Sequence, residues 1–283
     1  MLTRVRAGGY TIRGVSVGGI YTSLQVRELD LVLDIGLAPR SFAGTKALFL
    51  SHGHADHSGA LATMIGQRML TCRNKLLKIY LPAQIADTVR QQLDLISTLQ
   101  NFEVNVQLHP MEPGDEASLH SDLHVRAFRT FHPVPSLGYL FFRRVHKLRG
   151  ELIGMDGQQI KQLRQQGADI SDTADHLELA YATDTLPKVL ETEPDLLAVK
   201  TLILECTFLD ASRPPEKAHA SCHIHLDDLL PYADRFANEA LVLMHFSQGY
   251  RPNDVRAILR ARCPPAMLDR LVIFAPDRRV WPG

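Results

Sequence analysis

Four side chains able to hold a metal ion fall within six residues in Ser51-His52-Gly53-His54-Ala55-Asp56-His57-Ser58-Gly59. His52 and His54 alternate, so both can aim at one ion where the backbone is extended. Asp56 and His57 follow in the turn and can reach a second ion close by. Neutral imidazole and carboxylate are the usual ligands of a catalytic zinc site, which keeps a position open for water. No cysteine lies in the loop, which argues against a closed structural zinc. A solvated histidine-rich loop is the alternative, and four ligand-type residues at this spacing oppose it.

Such a loop needs elements that hold it. Lys46-Ala47-Leu48-Phe49-Leu50 reads as a short buried strand. Gly59 to Ile65 reads as the start of a helix with Ser58 as its N-cap. The cluster then sits on a strand-to-helix loop at the carboxyl edge of a sheet, where α/β proteins build sites. Upstream, Leu2–Val5, Tyr10–Val17 and Leu31–Ile35 read as strands of a meander turned at Gly8-Gly9 and Gly18-Gly19. Downstream, a helix near 59–71 leads to a strand at Leu77–Pro82, and Pro82 opens a helix running to about Leu99. Strands follow at 103–109 and 123–131, separated by a polar turn at Glu112–Glu116. Later strands are expected at Leu177–Thr183, Thr201–Phe208 and from Ala240 to His245, with helices near 158–166 and 225–237. This succession is α/β layering.

More candidates stand at strand ends. His132 closes the 123–131 strand, and Pro133 and Pro135 stiffen the chain after it, as suits a residue held in place. A structural histidine is the alternative. Asp184 leaves the end of its strand and could equally be an N-cap. Glu205 lies in an apolar strand and needs a partner, because an unpaired buried carboxylate is costly. Either a histidine of the site or a plain salt bridge would serve. His245 again ends a strand.

The 283 residues, 45% of them hydrophobic, suffice for one large core, so residues 1–283 are expected to form a single domain. No apolar run approaches the ~20 residues of a membrane helix, and the N-terminus lacks a secretory apolar core. Cys72, Cys206, Cys222 and Cys263 form no CxxC pair, which points to a reducing cytoplasm. Basic and acidic residues balance at 31 each, unlike a dedicated nucleic-acid binder, although a nucleic-acid substrate stays open.

His52-Gly53-His54-Ala55-Asp56-His57 resembles the HxHxDH signature of the metallo-β-lactamase superfamily, and the later motifs resemble its RNase Z (tRNase Z) branch. Asp34-Ile35-Gly36 is similar to the family's Asp-x-Gly turn, with a plain Asx turn as the alternative. His132 with Gly138-Tyr139 resembles the third motif. Asp184-Thr185 matches a Gly-Asp-Thr in which Thr183 replaces the glycine, and Glu205-Cys206-Thr207 resembles Glu-Ala-Thr. Cys222-His223-Ile224-His225 resembles a His-Ser-Thr segment, with His225 in place of the threonine and without an assigned role. His245-Phe246-Ser247-Gln248-Gly249-Tyr250 resembles His-Phe-Ser-x-Arg-Tyr, with Gly249 where arginine is usual and Arg251 nearby.

The resemblance implies an αββα sandwich with two zinc ions, manganese or iron also suiting such ligands. His52, His54 and His132 would hold one ion and Asp56, His57 and His245 the other, with Asp184 bridging them. It implies that Asp56 orients the attacking water or takes its proton, that His223 protonates the leaving oxygen, and that Glu205 partners the site. The implied activity is a phosphodiesterase cutting RNA, tRNA 3′ ends included, or a smaller diester. A hydrolase of another ester or a lactam is the alternative, since fold does not fix function. The 51 residues between His132 and Asp184 contain no Gly/Pro-rich tRNA-binding arm, only a basic cluster of Arg143, Arg144, Lys147 and Arg149 that either touches phosphate or is a solvated face. The expected partners are the phosphodiester substrate, RNA among them, and a second copy of the chain in a homodimer, with no membrane.

Overall fold

A computed structural model describes residues 2–73, 75–277 and 281. Its first sheet begins with the meander: β1 (Thr3–Ala7), β2 (Tyr10–Val17), β3 (Tyr21–Val26) and β4 (Leu31–Leu33) pair antiparallel. From β4 onward the pairing is parallel, through β5 (Ala47–Phe49), β6 (Leu77–Pro82) and β7 (Val106–Met111). The second sheet repeats this plan. β8 (Glu116–His120), β9 (Leu123–Arg129), β10 (Leu137–Leu148) and β11 (Ser171–Ala182) are antiparallel, and β11 continues parallel into β12 (Thr201–Glu205), β13 (Ala240–Met244) and β14 (Leu271–Ile273).

Parallel strands buried on both faces need helices outside them. α1 (Ala55–Ser58), α2 (Leu61–Thr71) and α3 (Ala86–Gln100) follow the first sheet's strands, and Leu61, Met64, Val89 and Leu93 pack on its outer face against Leu48 and Ile79. α4 (Gly157–Gln165) stands apart in the β10–β11 connection. Of the remaining helices, α5 (Val189–Thr192), α6 (Pro215–Ala220), α7 (Leu226–Leu229), α8 (Pro252–Arg262) and α9 (Pro265–Leu268), all but α6 bury residues in the cluster on the second sheet's outer face. The inner faces meet in a core where Phe49 stacks on Tyr80 at 4.6 Å and meets Tyr139 and Phe141 edge-on at 5.1 and 4.9 Å. The architecture is the expected αββα sandwich.

Several elements differ from the expectation. Ser58 is not an N-cap: it closes α1, its hydroxyl donates to the Gly53 and His54 carbonyls, and α2 starts at Leu61. The helix expected over 225–237 ends at Leu229 and tightens into a 3₁₀ turn, Leu230–Tyr232, where Pro231 cannot donate to the helix ladder. β10 and β11 reach twelve residues each, with β10 buried over Leu137–Phe142 and more exposed beyond. The interval between His132 and Asp184 therefore carries a β-ribbon topped by α4. Its arginines face acids: Arg143 pairs with Asp122, Arg144 with Asp175 and Glu116, and Arg149 with Asp169. That part of the basic cluster is neutralised across the strands.

Candidate metal centre

The site forms where the carboxyl ends of strands from both sheets converge. The turn after β4 supplies Asp34. The β5–α1 loop supplies His52 and His54, and α1 itself Asp56 and His57. The segment after β9 supplies His132, those after β11 and β13 supply Asp184 and His245, and Glu205 is the last residue of β12. Asp34, Asp184 and His245 all adopt left-handed backbone, with φ of 55°, 48° and 62°. Non-glycine residues seldom do so, and such turns persist only where surrounding structure enforces them. Gly36 is required by close approach, since a Cβ there would lie 1.9 Å from the Asp56 carbonyl oxygen.

Hydrogen bonds fix which nitrogens carry protons. His57 Nδ1–H donates to Asp34 Oδ2 at 2.7 Å, which leaves Nε2 to face the site. The Ser51 hydroxyl donates to the same carboxylate, so it accepts from His52 Nδ1–H at 2.9 Å, and His52 Nε2 turns toward the site. Thr207 donates to Glu205 and accepts from His245 Nδ1–H at 3.1 Å, which does the same for His245. Tyr181 donates to Asp34 as well, at 2.6 Å.

These inward-facing nitrogens converge. His57 Nε2 faces His245 Nε2 at 3.3 Å. His54 Nδ1 lies 3.0 Å from His52 Nε2 and 3.2 Å from His132 Nε2. One ring proton can bridge only one pair of those three nitrogens. Asp184 stands between the two groups: Oδ1 is 3.3 Å from both His57 and His245, and Oδ2 is 3.7 and 3.8 Å from His52 and His132. His52, His54, His132 and Asp184 form one set able to hold a cation, and Asp56, His57, Asp184 and His245 another.

The electrostatics match a pocket short of positive charge. Burial opposes a proton on His57, yet Asp184 and Asp34 outweigh it and raise its pKa well above the ordinary value. Burial and the neighbouring His57 push His52 down to about 2, so its lone pair is open to a Lewis acid. Burial works against charge on Asp184 and Asp56, but the surrounding histidines hold both well below the usual carboxylate range. Imidazole nitrogens and carboxylate oxygens without thiolate fit zinc, manganese or iron. The residues present thus fit divalent ions.

His223 stands beside the ligand groups, its ring 5.4 Å from His245 and 5.8 Å from His132. Nδ1–H donates to Glu205 at 3.0 Å, leaving Nε2 as its second proton site. Burial would lower the His223 pKa, but the Glu205 carboxylate prevails and lifts it to about 9. Glu205 itself also accepts from Thr207 and the backbone of Thr185 and Ile224, so it is a buried positioning residue. His225 serves the fold, because its Nδ1 accepts from the Asp227 backbone at the start of α7. Ser51, Tyr181 and Thr207 carry little sequence signal, being hydroxyls whose partners are mostly distant in the chain. Only Thr207, inside Glu-Cys-Thr, stands in a recognisable motif.

The chain is also similar to proteins already characterised. Residues 30–246 match the family described as "Beta-lactamase superfamily domain". Over 259 residues the chain is 36% identical to tRNase Z TRZ1 of Arabidopsis thaliana, covering 91% of this chain and 92% of that protein. Among solved structures it is similar to the metallo-β-lactamase fold protein YhfI of Bacillus subtilis, with a TM-score of 0.61 at 16% identity, covering 92% of this chain and 94% of that one. It is also similar to the short form of human tRNase Z, with a TM-score of 0.58 at 18% identity over 83% of this chain and 92% of that one.

Proposed function

The chain belongs to the metallo-β-lactamase superfamily, in its RNase Z-like branch, and on that premise we propose that it is a binuclear zinc endoribonuclease cutting a phosphodiester at the 3′ side of tRNA precursors. The single observation carrying the reading is the convergence of histidine ring nitrogens on either side of the Asp184 carboxylate. In this reading His52, His54 and His132 hold one ion, Asp56, His57 and His245 the other, and Asp184 both. Bound there, divalent ions supply Lewis-acid stabilisation of phosphoryl charge and activation of water at neutral pH.

The protein's own groups do the rest. Asp56, ionised and only partly buried, orients the attacking water and accepts its proton. His223, kept protonated by Glu205, donates from Nε2 to the departing oxygen. Asp34 holds His57 directly and His52 through Ser51, so both rings are preset before an ion arrives. Arg129 and Lys188, each 5.1 Å from the Phe131 ring beside His132, place cations and an aromatic face where a nucleic-acid strand would pass.

We take residues 1–283 as one domain, active as a homodimer in the cytoplasm. The four unpaired cysteines support a reducing compartment, and no helix among the described residues is long and apolar enough to cross a membrane. The test is cleavage of a tRNA precursor by zinc-loaded protein, with and without chelator, beside a nitrophenyl phosphodiester, a carboxylic ester and a lactam. Chelator-sensitive cutting of the precursor is the expected result. Turnover of only the ester or lactam would replace this reading with the alternative hydrolase.

A further inference from the structure

Gly249 is the one position of the last motif that departs from its pattern, and a residue from elsewhere in the fold fills the place. A Cβ built at Gly249 would meet Arg213: Nη2 at 1.8 Å, Cζ at 2.5 Å and Nη1 at 3.1 Å, and these are its three nearest atoms. Gly249 shows no left-handed φ, so its backbone would accept a side chain. The guanidinium is the obstacle.

Arg213 lies in the loop between β12 and α6, outside every motif. Its Nη1 donates to Ser247 Oγ at 2.7 Å, two residues from His245. Its Cζ lies 5.8 Å from the Phe208 ring centroid and 5.6 Å from that of Tyr250, and Phe208 meets His223 edge-on at 6.3 Å. All these contacts are neutral, unlike the paired arginines of the β10–β11 ribbon. Arg68 shows the other extreme, a buried arginine engaged by the carbonyls of Ala43, Thr45 and Lys75. A guanidinium has five N–H donors in a planar fork that matches phosphate. Arg213 is therefore a half-buried, pre-positioned cation with donors to spare, one aromatic ring away from the proposed proton donor.

We propose that Arg213 binds a phosphate of the RNA strand flanking the scissile linkage, and that Arg213 and Gly249 are a spatial exchange in which the guanidinium comes from a separate loop. This rests on the RNA-cleaving reading of the site. The test measures kcat/KM for a tRNA precursor between about 50 and 200 mM salt, with anisotropy binding of the labelled precursor in a His223→Ala background to slow cleavage.

Arg213→Ala should lower kcat/KM and affinity about tenfold, the worth of one charge-assisted hydrogen bond. It should also flatten the log–log salt slope by about 0.7–0.9, the share of one phosphate contact. Arg213→Lys should keep most of the slope but lose the bidentate part of the affinity. Gly249→Arg alone should be impaired by collision, whereas Gly249→Arg combined with Arg213→Ala should recover most of both quantities, which a merely structural arginine would not allow. An unchanged salt slope in Arg213→Ala, or a double variant no better than Arg213→Ala, overturns the proposal while the RNA-cleaving reading stands. A wild-type protein that neither binds nor cuts the precursor removes both.

Discussion

At the scale of single residues, the centre depends on which atoms carry protons. Asp184 faces both histidine groups with separate oxygens, so Asp184→Ala should lose metal and activity together; elemental analysis of the purified variant checks this, and full metal content would refute bridging. His223→Ala should keep its metals but lose roughly 10²–10⁴-fold in rate, the usual worth of a general acid. The loss should shrink for a nitrophenyl diester, whose leaving group needs little protonation, while equal losses on all substrates would exclude the role. Glu205 raises the His223 pKa to about 9 from 6.5, so the pair's contribution to stability is complete below about 6.5 and fades as pH rises through 9. Glu205→Gln should move the alkaline limb of the rate profile to lower pH; an unmoved limb would mean that another group sets it. Of the seven candidate ligands, His52, His54, Asp56 and His57 were legible from their short spacing, whereas His132, Asp184 and His245 were picked out by the motifs they resemble. The hydrogen bonds that orient their rings were not legible, because they join neighbouring strand ends of one sheet, as in Asp34 to Ser51 and Thr207 to His245, or span both sheets, as in Tyr181 to Asp34.

At the scale of elements, the turns that leave β4, β11 and β13 in left-handed backbone each deliver one site residue, Asp34, Asp184 and His245. Gly36 lets the first of these turns lie against α1. Gly36→Ala would drive a Cβ into the Asp56 carbonyl and should cost about 1–3 kcal/mol, the usual range for overpacking. Denaturant unfolding measures this, and an unchanged midpoint with intact metal content would show that the turn has room. The short parallel strands were readable from unbroken apolar runs such as Lys46–Leu50. β3 was not, because Thr22, Ser23 and Gln25 are polar yet buried, satisfied by contacts such as Gln25 to Thr45. β8 was missed although Glu116-Ala117-Ser118-Leu119-His120 alternates, because this short edge strand, paired with β9 through a register shift, is mostly polar and follows directly on a polar turn.

At the scale of the molecule, neither sheet makes the site alone. The first brings Asp34 and the histidine-rich loop; the second brings His132, Asp184, Glu205 and His245, and the inner core locks the two edges together. The helix-tipped ribbon gives nothing to this centre. Replacing residues 149–170 by a two-residue Asn-Gly turn between the paired Leu148 and Ser171 should leave metal content unchanged; loss of metal would show that the ribbon supports the site. The most direct test of a two-metal centre bridged by Asp184 is anomalous scattering at the zinc edge from crystals of the zinc-loaded protein. Two peaks within ~4 Å of each other should flank the Asp184 carboxylate, one against His52, His54 and His132 and the other against Asp56, His57 and His245. A single peak, or one held instead by Glu205, His223 and His245, would contradict it.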